Sequence, residues 1–372
     1  MDTYTFDKAA YDLHYNCSFY DVDSIPLEQR KHTVLGWMFI IFFVVTEMIY
    51  IPCIFAIWKH LEQSTYKFMF FLGLIDVFGM WSSGFFTGYF GITGQVFCSN
   101  PRLIYILGMM AHFAWGNESA TAIMLALNRC IDILSPTWGK TLYDGKRCWL
   151  WLIFPLSYGT YFAFFTKPVT FSSLLMSWFF NPHVGYFDDK DGTYINWCNT
   201  IYNWFVVIAL PGLYITFVVL FAARLLRMSS YSAVIRRNRT EIKSFLQVLI
   251  ITTANVFSSG IFDYMQLFET SPGIIYLGQV AWFTAHAAPP YIYWTLNKTI
   301  RRDCIRMARR ILGMRLDKVS VQSNTGKISP VNTKTVDNMN TTPTANVNVK
   351  TMDSGSANPL DNATIDNYVQ TQ

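Results

Sequence analysis

Seven long apolar runs constrain this chain more than any other feature. They cover residues 34–58, 66–92, 103–134, 148–166, 201–223, 245–268 and 274–296. A helix needs ~20 apolar residues to cross a bilayer, and each run is of that order. A backbone in hydrocarbon must satisfy its own hydrogen bonds, so the runs are expected to be helices. The composition agrees: 52% of the 372 residues are hydrophobic and only 14% are charged. Prolines 52, 155, 211, 289 and 290 fall inside runs, where each removes a ladder bond and can kink its helix. The expected fold is an all-α membrane protein with a seven-helix bundle.

Basic residues set the orientation. Segments 59–67, 135–147, 224–243 and 298–318 hold two, three, six and eight Lys/Arg. The alternate loops 93–101, 167–200 and 269–273 hold none, two and none. The first group is read as cytoplasmic, which puts the N-terminus outside. Four regions are expected: an extracellular arm over 1–33, the bundle over 34–297, a membrane-surface helix over 298–318 and a disordered cytoplasmic tail over 319–372. The arm is acidic and lacks the apolar core of a cleavable signal peptide. The tail is rich in Asn, Thr, Ser and Val and poor in aromatics, so it cannot bury a core. Its hydroxyls could accept phosphate or simply solubilise.

Cys98 and Cys198 end the first two outside loops, on the oxidising face. A Cys98–Cys198 disulfide is expected; the alternative is two free thiols. Asn16-Cys17-Ser18 is the one glycosylation sequon within reach of the outside, so Asn16 is the candidate acceptor. In the membrane-surface helix, Ile300, Cys304, Met307, Ile311 and Leu312 recur at helical spacing among basic residues, suiting the inner leaflet. Cys304 is a candidate for palmitoylation, or a plain interfacial cysteine.

Ionisable residues inside spans are costly and usually face the bundle interior. Counted at ~1.5 Å per residue from the cytoplasmic ends, Glu47, Asp76, Glu118, Asn255 and His286 all lie roughly 14–18 Å deep. They are read as a central polar cluster, or as five residues satisfied locally. Two acids at one depth, Asp76 and Glu118, would favour a shared proton or a sodium ion. Arg129 sits at the inner end of the third run, where its stem can snorkel to water. It is either an anchor or a latch, with Glu241 as the latch partner. Ligand-binding candidates are Met109, His112 and Trp115 on the third helix and Asn203 and Trp204 on the fifth. Asp263 and Gln266 on the sixth and Tyr276 and Gln279 on the seventh complete them.

The motifs resemble a known family. "YNCS" (15–18), "TYKFMFFLGLIDVFG" (65–79), "TGYFG…FCSNP" (87–101), "ALNRC" (126–130), "SWFFNP" (177–182) and "NKTIR" (297–301) are similar to the nematode serpentine chemoreceptors of class T, within the G-protein-coupled receptors. The resemblance spans residues 15–302. It implies a receptor in the plasma membrane, in some cells the sensory cilium, that binds an external small molecule or peptide and activates a heterotrimeric G protein. Arg129, with Arg236, Arg237, Arg239 and Glu241 of the basic inner segment, then belongs to the coupling surface. The expected partners are ligand, G protein and lipid, not nucleic acid. The chain departs from rhodopsin-like receptors at Asn128, where an acid usually precedes the arginine. It also has no proline in the sixth helix, and Pro289 stands where Asn is usual.

Other classes fit less well. A retinal-binding protein needs a lysine in the seventh helix, and 274–297 has none. A metalloenzyme needs about three fixed ligands, and only His112 and His286 are histidines within spans. A ligand-gated channel, a transporter or a non-signalling membrane protein stays open as the alternative.

Overall fold

A computed structural model describes residues 6–226 and 231–312, leaving out the side chains of 225, 231–245 and 248. The tail expected over 319–372 therefore lies outside the described residues. Helix α1 is Thr33–Trp58. Phe39, Phe43, Thr46, Tyr50, Cys53 and Ile57 form its buried face at spacings of three and four residues. Val34, Trp37, Met38, Ile41, Phe42 and Met48 are exposed. Both faces are apolar, as a helix with lipid on one side requires.

Helix α2 starts as Ser64–Met80, passes through a π-helical turn at Trp81–Phe86 and continues over Thr87–Thr93. Two carbonyls of the turn accept from side-chain donors: Ser82 O from Thr87 Oγ1 at 2.9 Å and Ser83 O from Gln279 Nε2 at 3.0 Å. Gly94, at φ 68°, ends the helix in the left-handed region. Gly36 and Gly88 bring α1 and outer α2 into backbone contact. A Cβ on either would lie within 2.6 Å of the other's carbonyl oxygen.

Helix α3, Pro101–Leu134, has proline in its first turn and runs through the middle of the bundle. Helix α4 is Ile153–Phe165, set off from the short helix Arg147–Trp151. The sequence suggested one unbroken span there. Pro155 has no N–H for the Trp151 carbonyl, which explains the interruption. Helices α5 (Trp197–Leu226), α6 (Tyr231–Leu267), α7 (Pro272–Leu296) and α8 (Lys298–Ile311) follow. By length and hydropathy alone, only Leu27–Trp58, Ser64–Thr93, Arg147–Phe165 and Trp197–Arg224 qualify as spans among the described residues. Helix α3 falls short because its buried face carries His112, Asn117, Glu118, Ser119, Thr121 and Asn128. A helix surrounded by others need not be apolar.

Two features of the outer end were not read from the sequence. The loop after α4 folds into a hairpin of β1 (Thr170–Ser172) and β2 (Ser177–Phe179), with Phe171 opposite Trp178. It enters the bundle mouth: Trp178 is buried and donates from Nε1 to Thr87 Oγ1 at 2.9 Å. The N-terminal arm also folds back over this end. Its Arg30 is buried, bonded to Asp23 Oδ1 and to the Ile25 and Gly94 carbonyls.

The arm corrects the cysteine assignment. Cys98 is bonded to Cys17, with Cα atoms 5.4 Å apart, and Cys198 is free and exposed. Tyr20 packs the arm onto this corner, its hydroxyl 3.2 Å from Cys98 Sγ. Cys198 lies in the first turn of α5, beside Tyr161 of α4.

Helix α8 differs in a similar way. Ile300 and Cys304 are buried, and Met307 packs on the core, so the first part of the apolar face covers the bundle. Only Ile311 and Leu312 of that face are exposed. Cys304 Sγ lies 4.0 Å from Cys53 Sγ of α1. An acyl chain on Cys304 would have to displace α8 from α1, so the structure argues against lipidation there.

Candidate functional site

Four of the five expected polar residues meet in the bundle interior. Asp76 Oδ1 lies 3.1 Å from His286 Nδ1, and Tyr50 donates its hydroxyl to Asp76 Oδ2 at 2.5 Å. Glu118 Oε2 is 3.2 Å from the same imidazole nitrogen, off the hydrogen-bond direction. Asn255 Nδ2 donates to Glu118 Oε1 at 3.1 Å. Asp76, Glu118, His286 and Asn255 are fully buried. Helices α1, α2, α3, α6 and α7 thus converge on one knot. Glu47 stands at the edge of the knot: it is half-buried, its Oε1 lacks a hydrogen-bond partner, and it lies within electrostatic range of Asp76.

Two carboxyl groups share one imidazole here, which leaves an excess of potential negative charge in a dry interior. Such a group must hold a proton or a cation. His286 Nε2, Asn255 Oδ1 and the Tyr293 hydroxyl also lack hydrogen-bond partners, so polar capacity is left over. Ligand atoms of Asp76, Glu118 and His286 all lie within 4.8 Å of one another. Gly79 makes room for this: a Cβ there would come within 2.9 Å of the His286 ring.

At the hairpin end of the bundle lies a first cavity of about 390 Å³, counting its open side. Of the expected ligand residues, His112, Trp115 and Asn203 line it. Asp263 stands behind Asn203, which donates to it at 3.0 Å, and Trp115 Nε1 donates to Asn203 Oδ1 at 3.0 Å. Gln266 lines a second cavity nearer the surface. Gln279 is spent on the π turn and the hairpin, bonding Ser83 O, Thr87 Oγ1 and Ser177 Oγ. Met109 packs beside the core, Tyr276 is half-buried and Trp204 is exposed; none of the three lines a described cavity.

The sequence reading missed Trp178, Phe180, Asn199, Ser258, Phe262 and Trp282, which also line the first cavity. The hairpin supplies Trp178 and Phe180, and the only hint of it was an aromatic-rich stretch between two turns. Trp282 could have been found, since it lies one turn from His286 on the buried face of α7. The two rings meet with centroids 6.2 Å apart.

At the inner end Arg129 is half-buried, within electrostatic range of Asp132 and Tyr214. Asn128, which stands where an acid is usual, turns instead to α2. Its side chain bridges Ser64 Oγ and Thr65 Oγ1, both at 3.4 Å. Lys67 donates to Gly145 O at 2.6 Å, tying α2 to the segment before α4. The side chains of Arg236, Arg237, Arg239 and Glu241 lie outside the described residues, so the latch remains an expectation.

Comparison with known proteins agrees with this architecture. The model of the family "Serpentine type 7TM GPCR chemoreceptor Srt" matches residues 3–315. The chain is 24% identical over 246 residues to serpentine receptor class T-55 of Caenorhabditis elegans, covering 66% of this chain and 65% of that relative's length. The fold is similar to the crystal structure of squid rhodopsin, with a TM-score of 0.59 and 15% identity, over 79% of this chain and 85% of that one. The chain belongs to the class T family of serpentine seven-transmembrane chemoreceptors.

Proposed function

We propose that this chain is a chemosensory receptor of the plasma membrane, N-terminus outside, that binds an external ligand and activates a heterotrimeric G protein. The observation that carries the proposal is the side-chain path from cavity to buried acids. Trp282 forms a cavity wall and touches His286, which sits between Asp76 and Glu118. A ligand that prefers one arrangement of this path would shift the bundle toward the state in which Arg129 meets the G protein. The charge asymmetry of the loops and the Cys17–Cys98 bond support the orientation, since disulfides persist on the oxidising side.

The remaining roles follow from it. The basic residues of α8 face anionic lipid on the inner leaflet, and Asn16 carries a glycan outside. A sodium ion sits between Asp76 and Glu118 when His286 turns aside, since a hard cation prefers their oxygens. In a sensory neuron the receptor would lie in the ciliary membrane. G-protein activation in cells exposed to a panel of external compounds tests the proposal. Sodium replaced by N-methylglucamine tests the ion: ligand affinity should change in the wild type and not in Asp76→Asn.

A further inference from the structure

Asp76, Glu118 and His286 each offer a ligand atom from a different helix, α2, α3 and α7, and these atoms lie within 4.8 Å of one another. We infer that, with His286 where it stands, this triad binds a first-row transition dication, zinc above all. The inference is independent of what fills the first cavity. It names a different ion from the sodium that His286 must turn aside to admit.

The orientation of the two carboxyl groups carries it. Asp76 Oδ2 accepts from the Tyr50 hydroxyl at 2.5 Å, which leaves Oδ1 turned to His286 Nδ1 at 3.1 Å. Glu118 repeats the pattern. Its Oε1 accepts from Asn255 Nδ2, and its Oε2 lies 3.2 Å from the same imidazole nitrogen with no hydrogen-bond partner. Each acid thus has one oxygen held from outside and the other set toward the ring. Ligating carboxylates are held by outer hydrogen bonds of this kind, which fix the direction of the inner oxygen. A proton on Nδ1 serves only one of the two inner oxygens, whereas a cation among the three atoms serves them all. Asp76, Glu118 and His286 are fully buried, so no solvent answers the oxygen left over.

Charge and donor type choose the ion. Two ionised carboxylates carry two negative charges, which a dication cancels and sodium only halves. An imidazole nitrogen suits zinc, cobalt or nickel, whereas magnesium and calcium take about six or more oxygens. Zinc bonds of ~2.0–2.1 Å at the tetrahedral angle set neighbouring ligand atoms roughly 3.3 Å apart. The imidazole nitrogen lies 3.1 and 3.2 Å from the two inner oxygens. A modest side-chain turn brings the acids, at most 4.8 Å apart, to the same spacing. Water takes the fourth position.

The test uses the full chain, tag-free, in phosphatidylcholine nanodiscs, stripped with chelator and dialysed against zinc chloride. Elemental analysis after gel filtration should find a single zinc per chain. Zinc should raise the melting temperature where equal concentrations of calcium, magnesium or sodium do not. Cobalt in its place should give the visible bands of tetrahedral coordination, without the near-ultraviolet charge transfer of a thiolate. Glu118→Gln and His286→Gln should each lose the metal. Tyr50→Phe frees only the outer oxygen of Asp76 and should weaken binding about tenfold. Ala111→Phe, which fills the first cavity, and Cys53→Ala, which breaks up the Cys53–Cys304 pair, should keep it. Binding is read only on monodisperse protein, and three variants of the knot mean that one failing to fold leaves two. Zinc retained by Glu118→Gln or His286→Gln, or lost from either control, overturns the inference. So do an unweakened Tyr50→Phe, an octahedral or thiolate cobalt spectrum, sodium stabilising as much as zinc, or no zinc retained by the wild type. The G-protein panel above judges the receptor reading separately, whatever the metal does.

Discussion

Trp282 and His286 stand one turn apart on α7 and meet edge to face, with ring centroids 6.2 Å apart. Trp282 lines the first cavity, beside Trp115 and Trp178, and His286 lies against both buried acids. A single side-chain contact therefore separates ligand space from the polar knot. Coupling between two such sites is reciprocal: whatever stabilises one arrangement of the knot changes affinity at the cavity by the same factor.

The knot predicts a rescue. His286→Leu removes the imidazole between Asp76 and Glu118, and breaking a buried pair from one side costs roughly 3–5 kcal/mol. Thermal stability in nanodiscs should fall by several degrees or more. Adding Glu118→Gln removes one of the abandoned charges and should recover a large part of the loss. A double variant no more stable than the single one would show that charge balance does not hold this knot together.

The cysteines give a cleaner result. Cys17→Ser and Cys98→Ser should each lower surface expression, with the double variant no worse than either, because both remove one bond. Cys198→Ser should match the wild type. Peptide mass mapping of the unreduced protein should find Cys17 joined to Cys98; a Cys98–Cys198 peptide would reject this pairing.

The cap that the N-terminal arm forms over the hairpin end of the bundle should loosen in acid. His183 lies 3.4 Å from the Tyr20 hydroxyl and 3.3 Å from the His14 carbonyl. Burial pushes its imidazole below the ordinary value, against a smaller opposing effect of the His14 carbonyl. The folded cap therefore disfavours the proton. Its contribution is present above the unfolded value of ~6.5 and is lost as pH falls below it toward the folded value. Hydrogen-exchange protection in residues 10–24, corrected for the intrinsic pH dependence of exchange, should fall as pH drops below about 6.5, and His183→Gln should flatten that response. Unchanged protection below that pH would mean that His183 does not hold the arm.

Much of this was legible in the sequence because two requirements are local. Apolar run length marks the helices, and depth along a helix put Asp76, Glu118, Asn255 and His286 at one level. Glu47 shares that depth but stays at the edge of the knot, within electrostatic range of Asp76 and without a partner for its Oε1, a distinction that depth alone does not draw. The Cys17–Cys98 bond and the β1–β2 hairpin depend on how chain segments fold back over the bundle mouth, which no periodicity records. Cys304 shows the same limit. Its spacing marks an apolar face, and only packing shows that the face covers α1 rather than lipid.

Sidedness has a direct check. An epitope at residue 10 should stain intact cells, and one at residue 360 should stain only permeabilised cells. The reverse pattern would contradict the receptor reading and favour an inverted channel.

The central claim is that a ligand in the first cavity, walled by Trp115 and Trp282, drives G-protein activation at the Arg129 end of the bundle. Its most direct test is energy transfer between the receptor and a set of Gα subunits in cells given a panel of external compounds, at matched surface levels. At least one compound should activate the wild type. Ala111→Phe should lose the response by losing the ligand. Arg129→Ala should keep ligand binding and lose activation, with Arg129→Lys rescuing poorly because an ammonium lacks the planar guanidinium fork. Normal activation of Arg129→Ala, or an equal response from Ala111→Phe, would contradict the account.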